Sequence, residues 1–250
     1  ARSLDPLRLS SQWSDGFVSW LRIFLEERFK FNGLKNESST HLLNHLTEID
    51  ELAETWLDKY VPLEGSFSEI ALARWLPRLI PHGFPIMLAA SSPVRDWLTF
   101  SGKHSLSRRC FGFRGASGID GTLSLGMGLA MSLGPTILIT GDLALLHDSN
   151  GWLFAYPEKP PLVVLVIDNA GGGIFKQLNL QTESNETFDR LFAMPQKVDT
   201  LSLAGSHGIP YRQVACLEDL QTSLDWSFAQ DAPVLLRVCT DSLNDAQMRS

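Results

Sequence analysis

The 250-residue chain is 44% hydrophobic and carries a net charge of −7, from 21 Lys and Arg against 28 Asp and Glu. That is enough apolar content for a packed core and offers no basic surface for a phosphate backbone or an anionic membrane, so nucleic acid is not an expected partner. No uninterrupted apolar stretch approaches the roughly 20 residues that span a bilayer, and the opening ARSLDPLRLS lacks the order of a secretory signal, so the expected location is cytoplasmic. Cys110, Cys216 and Cys239 are odd in number, widely spaced and outside any CxxC pair; they are expected to be reduced thiols in a packed interior.

Along the chain, Phe17, Trp20, Leu21, Phe24 and Leu25 stand at helical spacing, and Leu42, Leu46, Ile49, Ala53, Trp56, Leu57 and Tyr60 repeat the pattern. Both stretches predict amphipathic helices. His41 and His45 lie one turn apart, but without the glutamate of HExxH or an evident third ligand they read as surface histidines. From Phe67 the texture changes. SEIALARWLPRLI predicts a helix capped by Ser68, and PIMLAA, TILIT, PLVVLVID and PVLLRV are continuously apolar, as strands buried on both faces should be. Helix-like stretches separate them: DGTLSLGMGLAMSL, the region after His147, VDTLSLAGSHG and LEDLQTSLDWSFAQ. The alternation predicts an α/β fold, a doubly wound and mostly parallel sheet with helices on both faces, preceded by a helical segment.

In such sheets ligands gather at the carboxyl ends of strands, which is where the polar residues fall. Asp142 follows TILITG and Asn169 follows VVLVID, with the 25 residues Leu143 to Ile167 between the two dipeptides Gly141-Asp142 and Asp168-Asn169. A helix-containing crossover fits that gap and would bring a carboxylate and an amide carbonyl together on neighbouring strands. Glycines 171 to 173 would let a backbone carbonyl approach the same point. Such an all-oxygen set suits Mg²⁺ bridging to a diphosphate. Gly-Asp and Asn-Gly are also common turn dipeptides, but their spacing, strand contexts and glycines together match the thiamine-diphosphate fingerprint of GD, about 25 to 30 residues, then N. A dinucleotide site is disfavoured because GMGLAM has Met131 where the third glycine of GxGxxG belongs.

SSPVRD (91–96), RGASGIDGTLS (114–124), GDLALLHDSNG (141–151) and DNAGGGIF (168–175) occur in this order, and across roughly 180 residues, in the spacing logic of a strand–loop–helix site, the chain resembles one thiamine-diphosphate family, the 2-succinyl-5-enolpyruvyl-6-hydroxy-3-cyclohexene-1-carboxylate (SEPHCHC) synthases of menaquinone and phylloquinone biosynthesis. The resemblance implies the tail of a central domain and a helical linker in residues 1–66, and a diphosphate-binding domain in 67–250. It implies decarboxylation of 2-oxoglutarate and conjugate addition of the resulting enamine to isochorismate, with thiamine diphosphate and Mg²⁺, or alternatively Mn²⁺, as cofactors. A pyrimidine-binding domain from the same or another subunit would complete the site, in a homodimer or homotetramer. Other readings are a non-catalytic scaffold and a different thiamine-diphosphate carboligase.

Residue by residue, the resemblance implies that Asp142, Asn169 and the Gly171 carbonyl hold the metal. Ser91, Ser117, Gly141, Leu143, Ala144 and Gly172 would meet the cofactor, and Ile119 would be the apolar wedge that keeps it bent. Ile174 and Phe175 would line the reacting centre, while Arg95 and Arg114 would bind substrate carboxylates, a task suited to the planar guanidinium. Three positions depart from the family pattern: Asp168 and Ala170 flank Asn169 where further asparagines are usual, and Phe113 stands where an asparagine precedes the arginine. Asp168 would either add charge near the diphosphate or cap a turn. Glu64, Glu69, Glu158 and Glu183 lack the position expected of a cofactor-activating acid, so the chain by itself is expected to be inactive.

Overall fold

The computed structural model describes residues 37–61, 63–113, 117–156, 158–177 and 184–249. The predicted helix around 17–25, Arg114 and Glu183 lie outside the described residues. By compactness the chain divides into Ala1–Ala53 and Glu54–Ser250.

Helix α1 (Glu37–Tyr60) bears out the helical spacing of 41–60. Its apolar positions behave differently from the amphipathic expectation: Leu46, Ile49, Trp56 and Tyr60 are exposed, while Leu57 packs on the core. His41 and His45 are exposed on this helix. Helix α2 (Glu69–Leu79) begins where the Ser68 hydroxyl accepts the Ala71 N–H at 3.0 Å, the cap read from the sequence. It buries Arg74 completely, and the guanidinium finds Glu54 at 2.8 Å and Asp58 at 2.7 Å in the last turns of α1. A buried cation requires such partners to offset its desolvation.

The remaining elements alternate: β1 (Ile86–Leu88), α3 (Ser92–Phe100), β2 (Cys110–Gly112), α4 (Thr122–Leu133), β3 (Thr136–Gly141), α5 (Asp142–His147), β4 (Leu162–Asp168), α6 (Asn185–Phe188), α7 (Thr200–Ser206), β5 (Tyr211–Val214), α8 (Leu220–Phe228), β6 (Val234–Cys239) and α9 (Ser242–Met248). The six strands form one sheet in the order β2-β1-β3-β4-β6-β5, with every pairing parallel. Alternate strand residues feed two cores. Ile137, Ile139, Leu165, Ile167 and Leu236 meet α2, α3 and α8 on one face; Leu138, Val164, Val166 and Leu235 meet α4, α5 and α7 on the other. Each such side chain contributes about 1.5–3 kcal/mol when fully buried, so the continuous apolar runs are the direct consequence of covering both faces.

Because the chain runs from β1 outward to β2 and returns to β3 on the other side, the connections leaving β1 and β3 depart on opposite faces. Helix α3 packs in the first core and α5 in the second, which opens a crevice at the carboxyl ends of β1 and β3. One expectation is corrected. The thiols do not lie in the interior: Cys110 and Cys239 are exposed and Cys216 is half-buried, all free, because two of them sit at strand ends. Strands β2 and β5 carry no apolar run; as edge strands they are largely exposed, so burial did not write itself into their sequence.

Candidate functional site

At that crevice lies a cavity of about 340 Å³, lined by residues from four loops. Ser91 and Arg95 come from the β1–α3 connection, Ser117 and Ile119 from the approach to α4, Gly141, Asp142, Leu143 and Ala144 from the end of β3, and Asn169, Gly171, Gly172, Ile174 and Phe175 from the segment after β4. The structure thus gathers every site residue named above except Arg114, which is outside the described residues.

Asp142 opens α5 and is 6% exposed. Its Oδ1 accepts the Leu143 N–H at 2.9 Å and its Oδ2 accepts the Gly171 N–H at 2.8 Å. Burial, with the nearby Asp168 carboxylate adding to it, pushes the Asp142 carboxyl up to about 6 despite these two donors. Across the strand gap Asn169 donates from Nδ2 to Glu69 Oε1 at 2.6 Å, while its Oδ1 is buried and has no hydrogen-bond partner among the described residues. A carboxylate raised by burial and a buried amide oxygen without a partner are two groups that a hard cation would satisfy. The donor set therefore fits Mg²⁺, although no group of three His, Cys, Asp or Glu among the described residues is arranged to hold a metal. The Gly171 carbonyl already accepts the Gly173 N–H at 3.0 Å and retains its second lone pair.

The glycines are sterically required. Gly171 has φ +119°, where a side chain is strained, and a Cβ there would collide with the Ala193 carbonyl. A Cβ on Gly172 would come within 2.5 Å of the Phe192 carbonyl. Ala170 also has positive φ, 60°, a conformation asparagine tolerates better than alanine; that is the physical meaning of one departure from the family pattern. Asp168 caps a turn, its Oδ1 accepting the Ala170 N–H at 3.2 Å, and its charge adds to what raises the Asp142 carboxyl.

At the rim, Ser91 is held at φ 77°, and its carbonyl accepts Arg95 Nη1 at 2.7 Å. Arg95 is exposed and forms no ion pair among the described residues, so a guanidinium stands beside the cavity without a carboxylate of its own. The Ile119 carbonyl is fixed by the Thr122 hydroxyl at 2.8 Å, and Phe175, at the exposed edge, meets Phe192 with ring centroids 5.8 Å apart. Gly126 and Gly128 lie inside α4, away from any strand-to-helix turn, which agrees with setting aside a dinucleotide site.

One cavity residue has no signal in the motif spacing. Glu69, the first residue of α2, lines the cavity and is 3% exposed. Beneath it Asp96, Asp245 and Arg249 complete a buried cluster. The carboxylates of Glu69 and Asp96 pair with the Arg249 guanidinium, Asp245 meets it through its backbone carbonyl, and burial pushes the Asp245 carboxyl up to about 6. Because that folded value lies above its ordinary 3.8, ionisation of Asp245 opposes folding: the penalty is absent below about pH 4 and fully present above about pH 6. Asp245→Asn keeps an acceptor for the Glu69 N–H. It should raise stability at pH 7 by on the order of 1–2 kcal/mol and leave it nearly unchanged at pH 4. Urea midpoints at the two pH values check this, and equal shifts at both would refute the charge argument.

Residues 99–238 match the family described as "Thiamine pyrophosphate enzyme, C-terminal TPP binding domain". Over 249 residues the chain is 58% identical to the "2-succinyl-5-enolpyruvyl-6-hydroxy-3-cyclohexene-1-carboxylate synthase" of Prochlorococcus marinus (strain MIT 9313), covering 100% of this chain and 43% of that protein. It is 55% identical over 249 residues to the protein of the same name from Parasynechococcus marenigrum (strain WH8102), with the same coverage. The chain thus spans less than half the length of these relatives. Among solved structures, benzoylformate decarboxylase from Polynucleobacter necessarius superposes with a TM-score of 0.54 at 15% identity, over 70% of this chain and 33% of that one, a likeness of fold alone.

Proposed function

The chain belongs to the thiamine pyrophosphate enzymes through their C-terminal binding domain, and from that membership we propose that it carries the diphosphate and Mg²⁺ half of a SEPHCHC synthase site. The complete reaction would decarboxylate 2-oxoglutarate and add the remaining four-carbon unit to isochorismate, a step toward menaquinone or phylloquinone. The observation that carries the reading is the pair formed by buried Asp142 and the unpartnered Asn169 Oδ1 just past the ends of neighbouring strands. Asp142, Asn169 and the Gly171 carbonyl would hold Mg²⁺, or Mn²⁺ in its place, which would supply the positive charge that anchors the diphosphate; Gly141, Leu143, Ala144 and Gly172 would supply the surrounding backbone.

Thiamine diphosphate, when bound, supplies the nucleophilic carbon and takes up the electrons released by decarboxylation. The protein's task is to bind, orient and exclude water. Ile119, Ile174 and Phe175 form the apolar part of the cavity, where electrostatic contacts strengthen as water is expelled. Ser91 and Ser117 line it as well. Arg95, and Arg114 on the strength of its motif, clamp substrate carboxylates through charge-assisted hydrogen bonds. The pyrimidine-binding domain and a homodimeric or homotetrameric assembly complete the site.

In the assembled enzyme, Arg95→Ala should lower kcat/KM for 2-oxoglutarate and isochorismate by about 10- to 150-fold, the equivalent of a lost charged hydrogen bond. Cofactor affinity should stay within about twofold, and Arg95→Lys should rescue only partly because it lacks the planar fork. Steady-state kinetics with carbon dioxide release as the readout decides. Preference for pyruvate over 2-oxoglutarate would favour a different carboligase, and cofactor binding without turnover of either acid would favour a scaffold.

A further inference from the structure

A side-chain amide can sit either way round, and only one way turns its oxygen to a cation. What fixes Asn169 is Glu69. Its Oε1 accepts Asn169 Nδ2 at 2.6 Å, and its Oε2 accepts Arg249 Nη2 at 2.6 Å. Arg249 is itself held by Asp96, at 3.1 Å from Nε and 2.6 Å from Nη2, and by the Asp245 carbonyl at 3.0 Å from Nη1. The backbone of Glu69 is pinned as well, since its N–H donates to Asp245 Oδ1 at 2.8 Å. Both the carboxylate and the main chain of Glu69 are therefore tied to α9 and the residue that follows it.

An ionised carboxylate accepts hydrogen bonds and donates none. Glu69 can pair with Asn169 only through Nδ2, and Oδ1 becomes the atom left without a partner. We propose that Glu69, clamped by Arg249, is a positioning residue that sets the amide orientation of Asn169 and so presents Oδ1 as a cation ligand. The inference deepens the cation-site reading above and rests on it. Glu69 acts through Asn169 and is not itself a metal ligand. Outer partners of this kind are worth about 10- to 100-fold in metal affinity.

The test is a double-mutant cycle in the assembled enzyme, with Mn²⁺ binding in the presence of thiamine diphosphate followed by electron paramagnetic resonance. In E69Q the amide keeps its oxygen on the donor-only Arg249 and turns its NH2 toward Asn169, which favours the reversed Asn169 amide, so Mn²⁺ affinity should fall by about 10- to 100-fold. N169D sets two carboxylates in contact and should also weaken binding. In E69Q/N169D the new amide can donate to one carboxylate oxygen while the other faces the cation, and the pair keeps its original charge; most of the lost affinity should return. A space-filling role for Glu69 gives additive losses instead. Additivity, or unchanged affinity in E69Q, overturns the proposal while the cation site stands, provided that the unmutated enzyme binds Mn²⁺ and D142A does not. Absence of Mn²⁺ binding in the unmutated enzyme overturns the cation site itself. Should E69Q fail to fold, neutron diffraction from the unmutated, Mg²⁺-loaded enzyme distinguishes the amide atoms: deuterated nitrogen facing Glu69 supports the proposal, and oxygen there overturns it.

Discussion

Replacing Asp142 by alanine is expected to abolish Mg²⁺-dependent binding of thiamine diphosphate, weakening it by at least ~100-fold, or about 2.7 kcal/mol, with little loss of fold. The two halves of that expectation have one cause. Asp142 is a buried carboxyl pushed up to about 6 by its surroundings, above its ordinary 3.8, so its ionised form burdens the cation-free fold above that pH and does not below about pH 4. Only a cation repays the burial. Removing the side chain deletes the ligand, leaves the Gly171 and Leu143 N–H groups to water, and relieves the charge; the cation-free variant should melt within a few degrees of the unmutated protein at pH 7. Calorimetry for cofactor affinity and melting curves with and without Mg²⁺ and cofactor check both parts. Undiminished affinity would remove Asp142 from the site and with it the main support for the functional reading.

The second large effect is an expected absence: the 250 residues alone should not turn over 2-oxoglutarate and isochorismate. The proposed reaction needs an acid positioned to activate the cofactor, and among the described residues the acids that line the cavity are Asp142 and Glu69. Asp142 is assigned to the cation. Glu69 spends one carboxylate oxygen on Asn169 and the other on Arg249. Glu158 and Glu64 do not line the cavity. The relatives, of which this chain covers 43%, have length for a further domain. Mixing the purified chain with a chain supplying a pyrimidine-binding domain, in the presence of Mg²⁺, cofactor and both substrates, should restore carboligation. Turnover by the 250 residues alone would refute the two-domain site.

Much of this molecule is legible in one dimension. The four central strands are apolar over most of their length because each is covered on both faces, and a run such as PLVVLVID needs no partner to be identified. Ser68 and its helix, the GD dipeptide after β3 and the asparagine after β4 are equally local, since a cap or a strand-end ligand is a property of the residues around it. Parallel pairing of β3 with β4 follows from their spacing, and with it the meeting of Asp142 and Asn169.

What tertiary structure alone decided has a common physical origin: partners far apart in sequence. The edge strands Cys110–Gly112 and Tyr211–Val214 are defined by hydrogen bonds to a neighbour and not by burial, so they leave no apolar trace. The exposed face of α1 reads as core in a helical wheel, because periodicity reports amphipathicity without saying what covers it. The cluster under the cavity is the clearest case. Glu69 lies 100 residues from Asn169 and 180 from Arg249, at spacings no motif encodes. Motif spacing names the residues that face the cavity from the strand ends; the glutamate behind them is set only when α2 packs against α9, because an acceptor for one buried amide can come from any part of the chain that the fold brings within 3 Å.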